Sequence, residues 1–143
     1  MSSLNHEKFL CLDIGERRIG MALSRGFVAG SYGTVVYTKP EDAIKRIVDI
    51  IFREKITSVI YGIPLNSDGL PGKQADKIFE FISRLKSLCN SVSFIYWNEA
   101  LTSWQAELLL KGKVRKKKRK EVIDKISATL ILQSYLNSKQ RRL

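Results

Sequence analysis

Apolar residues change their spacing at Pro40, and this change restricts the fold more than any other feature of the chain. Before it lie three short runs rich in apolar and β-branched residues, at positions 9–13, 19–24 and 33–38, with glycine-containing turns between them. Such runs predict an antiparallel meander. After it, Ile44, Ile47, Val48 and Ile51 recur at helical spacing, and Pro40 suits the first turn of that helix. Strand and helix patterns then alternate. Residues 58–64 read as a buried strand, 66–72 as a turn-rich loop, and Ile78, Ile82, Leu85 and Cys89 mark one face of a second helix. Residues 92–97 read as a further strand. Thr102 and Gln105 suggest a capping box for a third helix ending at Gly112, and a last helix is expected from about residue 121 to 138. Parallel strands joined through helices require right-handed crossovers, so the expectation is an α/β fold. It has one mixed five-stranded sheet, three antiparallel strands then two parallel, flanked by helices. At 143 residues the chain is expected to form one domain, 1–143.

The first buried run ends on a charge. Asp13 closes it, and a carboxylate taken from water is costly unless it is paired or holds a metal. Glu99 stands two residues beyond the run at 92–97, and Asp124 falls near the start of the last expected helix. Counting on from Asp124 at helical spacing gives Ala128, Ile131 and Tyr135, which sets Asp124 on the sheet-facing side. The small residues Ser127 and Ala128 would let that helix approach the sheet closely. Each acid alone is compatible with a turn, a solvated loop or a helix-dipole role. Three acids at the edges of three apolar elements form a more specific pattern, an all-oxygen ligand set suited to Mg²⁺ or Mn²⁺. Two such ions could activate water and stabilise the leaving oxygen in phosphodiester cleavage.

Composition narrows the alternatives. His6 is the single histidine, which argues against Ser-His or Cys-His nucleophilic catalysis. Cys11 and Cys89 are too few for a disulfide framework or a four-cysteine zinc site, and read as reduced core thiols. The N-terminus lacks the basic segment and small-residue cleavage site of a secretory signal, so a cytoplasmic location is expected, with no membrane partner. Net charge is +11, but eight basic residues lie within 111–120: Lys111, Lys113, Arg115, Lys116, Lys117, Lys118, Arg119 and Lys120. The remainder carries 17 basic and 14 acidic residues, close to neutral. One basic strip on a near-neutral body suits either a solvated loop or a local polyanion site. Trp97 and Trp104 flank Glu99, with core packing the expected role for Trp97.

Four segments, LDIGERRIGMALS, YGIPLNSDG, NEALTSWQAELLL and IDKISATLILQSYL, resemble in order and spacing the signature blocks of the YqgF/RuvX family. The element order is likewise that of the ribonuclease H-like fold. The resemblance implies a small metal-dependent nuclease, with Asp13, Glu99 and Asp124 as catalytic and metal-holding acids. It also makes Arg18 and Asn66, with Gly15, Gly20, Gly62, Pro64, Asp68 and Gly69, matches to family motif positions. Members are described as Holliday junction resolvases and as nucleases maturing the 5′ end of 16S ribosomal RNA. The chain departs from the family where Asn98-Glu99-Ala100 replaces Asp-Glu-Arg, which removes an acid and a base beside the retained glutamate. The short basic strip suits a local strand or short duplex better than a four-way junction. Structured RNA is therefore the expected partner, through pre-ribosomal particles, with the protein a monomer or weak homodimer. A junction resolvase, and a non-catalytic RNA-binding assembly factor, are the competing expectations.

Overall fold

The computed structural model describes residues 6–62, 74–97 and 116–141, with side chains in the last stretch from 126 to 140. Strands β1 (Phe9–Ile14), β2 (Arg18–Arg25) and β3 (Val28–Val36) are followed by helix α1 (Pro40–Arg53), strand β4 (Ser58–Tyr61), helix α2 (Ala75–Leu88), strand β5 (Ser93–Tyr96) and helix α3 (Lys116–Arg141). The sheet order is β3-β2-β1-β4-β5, which puts β1 at the centre. β1 pairs antiparallel with β2 and parallel with β4, and β4 pairs parallel with β5. This is the mixed sheet expected from the change of period at Pro40.

Side chains alternate across β1 because successive residues of a strand point to opposite faces. Leu10, Leu12 and Ile14 join Ile44, Ile47, Ile51, Ile78, Ile82 and Leu85 in the core beneath α1 and α2. Phe9 and Cys11 face the other way, into a smaller cluster with Ala128, Ile131, Leu132 and Leu136 of α3. Cys89 is buried just beyond α2, and both cysteines are free. Gln133 ties α3 to the β2–β3 hairpin: its Oε1 accepts from Ala29 N at 2.9 Å and its Nε2 donates to Phe27 O at 2.9 Å. At the other end of β1, the Ser24 hydroxyl accepts from the buried Phe9 N–H at 2.9 Å.

Two boundaries differ by about five residues from those read in the sequence, while the strand read as 58–64 ends at Tyr61 and the last helix runs on to Arg141. β3 begins at Val28, five residues before the apolar run at 33–38, and ends at Val36. It is an edge strand with largely exposed residues, so burial did not shape its sequence. Its pairing also slips, since Met21 pairs with Gly33 and Ala22 with Ser31, leaving Tyr32 as an extra residue. Gly33 has φ 132°, a conformation that favours glycine, and such a residue marks a bulge more readily than a strand. The last helix begins at Lys116 rather than near 121, so Asp124 stands in its third turn and not its first. Lysine and arginine are good helix formers, and like-charge crowding costs only a few tenths of a kcal/mol per pair, so the basic run extends the helix. The third expected helix, 102–112, lies outside the described residues.

Beneath the hairpin, the Lys8 ammonium reaches Glu54 Oε1 at 3.1 Å, and the Tyr32 hydroxyl donates to Glu54 Oε2 at 3.2 Å. Lys8 above all holds the Glu54 carboxyl below its ordinary value of 4.5, against the opposing effect of burial. A lowered folded value contributes stability that is present above the ordinary value and is lost as pH falls through the lowered one. Glu54→Gln should therefore lower stability above about pH 4.5 and leave it little changed at the acid end, so that the acid limb of the curve flattens, as followed by urea unfolding at a series of pH values. Parallel acid limbs for the two proteins would show that this pair contributes nothing.

Candidate active site

Asp13 stands at the C-terminal end of the central strand, the last of the residues Phe9, Cys11 and Asp13 that face α3. A carboxylate further back along β1 would be sealed between two apolar layers; here it is only partly buried. Gly20 is its register partner on β2 and presents no side chain against it. On the other side β4 ends at Tyr61, the partner of Leu12, and Gly62 follows. The Ser127 hydroxyl donates to Asp13 Oδ2. Ser127 and Ala128 are both buried, at 1% and 0% exposure, so the helix does approach the sheet closely at these two small residues. Asp124 lies three residues earlier on α3, about 4.5 Å of helix rise from Ser127. The structure thus brings the helix carrying the second proposed acid against the first.

Cys11 lies one pleat deeper on the same face. Burial, and then the Asp13 charge, push its thiol well above its ordinary value, so it stays protonated and packs as an apolar residue. Trp97 likewise belongs to this face as a packing residue. Its ring meets Tyr135 edge-on at 5.4 Å, and its Nε1 donates to Ser134 Oγ at 3.2 Å.

The remaining proposed residues divide by position. Arg18 opens β2 and is exposed. Lys116, Lys117, Lys118, Arg119 and Lys120 form the first turns of α3, with side chains outside the described set. Glu99, Asn66, Lys111, Lys113 and Arg115, along with Trp104, lie outside the described residues. Among the described residues no three acidic, histidine or cysteine side chains cluster as a metal site. The donors to be judged are therefore the Asp13 carboxylate and its surroundings. They are oxygen atoms with no nearby thiolate or imidazole, a chemistry that fits a hard divalent cation.

The turn after Asp13 is tightly built. Gly15 N donates to Arg18 O at 2.8 Å, and the Tyr37 hydroxyl donates to Gly15 O at 2.6 Å. Burial, and then the charge of Glu16, raise the Tyr37 phenol above its ordinary value, so it remains a donor. Ser127 and Tyr37 are site residues that sequence reasoning did not assign. The signal for Ser127 was its place three residues after Asp124; Tyr37 carried none, because its partner is a backbone carbonyl.

The family model described as RuvX, Holliday junction resolvase, matches residues 7–138. The chain belongs to this family. Among curated RuvX relatives, the protein named "Putative pre-16S rRNA nuclease" from Desulforudis audaxviator is 38% identical over 136 residues, covering 93% of this chain and 96% of that one. The protein of the same name from Halothermothrix orenii is 40% identical over 134 residues, covering 91% and 94%. Among solved structures, Thermus thermophilus RuvC aligns with a TM-score of 0.56 at 13% identity, over 93% of this chain and 96% of that one. The fowlpox virus Holliday junction resolvase aligns with a TM-score of 0.53 at 14% identity, over 92% and 99%. At those identities the likeness is one of fold, and it makes the RuvX chain ribonuclease H-like.

A Cβ added at Gly15 would meet Arg18 O at 2.9 Å, closer than backbone tolerates. Gly15→Ala should open the turn and cost about 1–3 kcal/mol, the usual range for overpacking a tight site. Chemical denaturation measures that cost, and a melt superimposable on wild type would show that the turn relaxes freely.

Proposed function

We propose that this chain is a metal-dependent nuclease that hydrolyses phosphodiester bonds of structured RNA, acting at the 5′ end of precursor 16S ribosomal RNA. The observation that carries the reading is the carboxylate at the tip of the central strand, hydrogen-bonded to the helix that bears Asp124, in a chain of the RuvX family. Asp13, Glu99 and Asp124 would hold Mg²⁺ or Mn²⁺, two ions in the full site. Bound there, the ions would supply an activated water and charge stabilisation at the leaving oxygen.

The chain's own residues then do the rest. Ser127 fixes one oxygen of Asp13 and so orients the carboxylate, the role that supporting hydrogen bonds play at metal ligands. Gly20 leaves the adjoining position on β2 open to a phosphate. Arg18 would meet the backbone beside the cut. Residues 111–120 would hold it further away, assisted by the positive end of the α3 dipole. The reading makes 1–143 one nuclease domain, acting in the cytoplasm as a monomer or weak dimer on pre-ribosomal particles. No helix among the described residues is long and apolar enough to cross a membrane.

The description of the RuvX model favours a second reading, cleavage of four-way DNA junctions, which would need two copies related by symmetry. Purified protein on matched precursor RNA, duplex DNA and four-way junctions, with and without Mn²⁺, separates the two. Metal-dependent trimming of the RNA is expected. Paired symmetric cuts in the junction by a stable dimer, with the RNA untouched, would give the site to the resolvase reading. Binding to RNA without cleavage under any metal would make the chain an assembly factor.

Asp13→Asn, Glu99→Gln and Asp124→Asn should each lower cleavage by two orders of magnitude or more while leaving the protein folded. Their effects should not add, since they act as one unit. Ser127→Ala should lower it by roughly 10–100-fold, the usual effect of removing support from a ligand. Any of these variants cleaving at the wild-type rate removes its residue from the site.

Replacing Lys116, Lys117, Lys118 and Arg119 by alanine should weaken RNA binding about equally across sequences. It should also flatten the dependence of log K on log salt by roughly 0.7–0.9 for each phosphate that these four side chains neutralise. A filter-binding series from low to high salt reads this, and an unchanged slope would mean that the strip touches no phosphate.

A further inference from the structure

A cleft of about 700 Å³ opens at the tip of β1, on the face opposite Asp13, between the β1–β2 turn and α2. Ile14 and Gly15 line it, and Asp13 precedes them directly. Because neighbouring strand residues point to opposite faces, the cleft and the carboxylate lie on the two sides of one strand end. The volume falls within the roughly 300–1,000 Å³ of small-molecule sites.

The lining is not that of a channel for phosphate backbone. Its floor is apolar, with buried Ile78 and Phe81 beside Tyr37. Tyr37 is held in place by its hydroxyl bond to Gly15 O. The rim carries both signs: exposed Arg17 and Lys77 and the Glu41-paired Arg84 as cations, exposed Glu16 and Glu80 as acids. An acid on the rim repels a bare phosphate chain but accepts from the exocyclic amino group of a base. Aromatic and apolar walls with a few polar groups are the surroundings of an unstacked nucleobase, the form in which RNA is read in sequence.

We propose that this cleft receives an unstacked base of the substrate strand, one nucleotide or a few from the phosphate cut at Asp13, and so sets base preference near the cleavage site. The proposal rests on the nuclease reading above. The strand passes over the tip of β1 with its phosphate on the Asp13 side, and the base turns down against Phe81 and Tyr37. Arg17 and Lys77 meet the phosphate attached to that base, while Glu80 selects for an amino-bearing edge. Stacking one base on an aromatic side chain is worth roughly a 5- to 150-fold change in binding, enough to create a preference.

The test uses the full chain, a randomised single-stranded RNA library with Mn²⁺, and sequencing of the cut ends. Wild type should show a base preference of at least about 5-fold at a fixed distance from the cut. Thr38→Trp, which fills the cleft from its exposed rim, and Glu80→Ala, which removes the acceptor that selects the base edge, should reduce that preference below about 2-fold while total cleavage persists. Even cutting by wild type, or variants that keep its preference, would overturn the cleft proposal and leave the nuclease reading standing. A wild type that cuts nothing would count against the nuclease reading instead. In that case titration of the four nucleoside monophosphates into isotope-labelled protein decides on the cleft. Saturable shifts at the Tyr37 and Lys77 amides that Thr38→Trp abolishes support it, and their absence overturns it.

Discussion

A strand buried on both faces can carry a charge only where it leaves the core, and the rest of this structure follows from that constraint on β1. Phe9, Leu10, Cys11 and Leu12 are all essentially sealed from solvent, so the single acid of the strand can be placed only at its end. There Asp13 keeps partial access to water and gains the Ser127 hydroxyl. The same alternation that sends Asp13 toward α3 sends Ile14 toward α1 and α2, so one strand end serves two surfaces. A shift of register by one residue would exchange them and bury the carboxylate in the larger core.

Holding that arrangement falls largely to α3. The helix lies across β1, β2 and β3 with Ile131, Leu132 and Leu136 fully buried. Gln133 anchors it to the hairpin by satisfying two backbone groups there, Ala29 N–H and Phe27 C=O. These bonds fix the helix about two turns beyond Ser127 and so set the position from which Ser127 reaches Asp13. Small side chains at 127 and 128 are what allow the approach: a larger residue at either would lift the helix from the sheet at the point where Ser127 meets Asp13.

Much of the fold was legible because the apolar pattern that specifies it is a burial pattern. The helix over Pro40–Arg53 buries one face, the central strand and the strand at 58–61 are buried on both, and Phe94 and Ile95 of the strand at 93–96 pack partly against the two cores. β3 and the start of α3 escaped that pattern for the opposite reason. β3 lies at the sheet edge and exposes most of its residues, and the first turns of α3 are formed by lysine and arginine, whose helical preference leaves no apolar period. Asp13 was legible from a charge following an apolar run. Tyr37 was not, since a hydroxyl donating to a carbonyl 22 residues away has no local signature.

The sequence by itself determined the class of sheet, the family, and the acids proposed for catalysis, because periodicity, turn residues and the order of motifs are properties of the chain read along its length. Only the tertiary structure decided that Ser127 meets Asp13 from 114 residues away, and that the turn after Asp13 closes over a cleft walled by Tyr37 and Phe81. Those relations depend on sheet order and on the seating of helices, which set distances between residues that the chain itself keeps far apart. The small side chain that marks a close approach is the same one that marks a helix former or a turn, and only packing tells them apart.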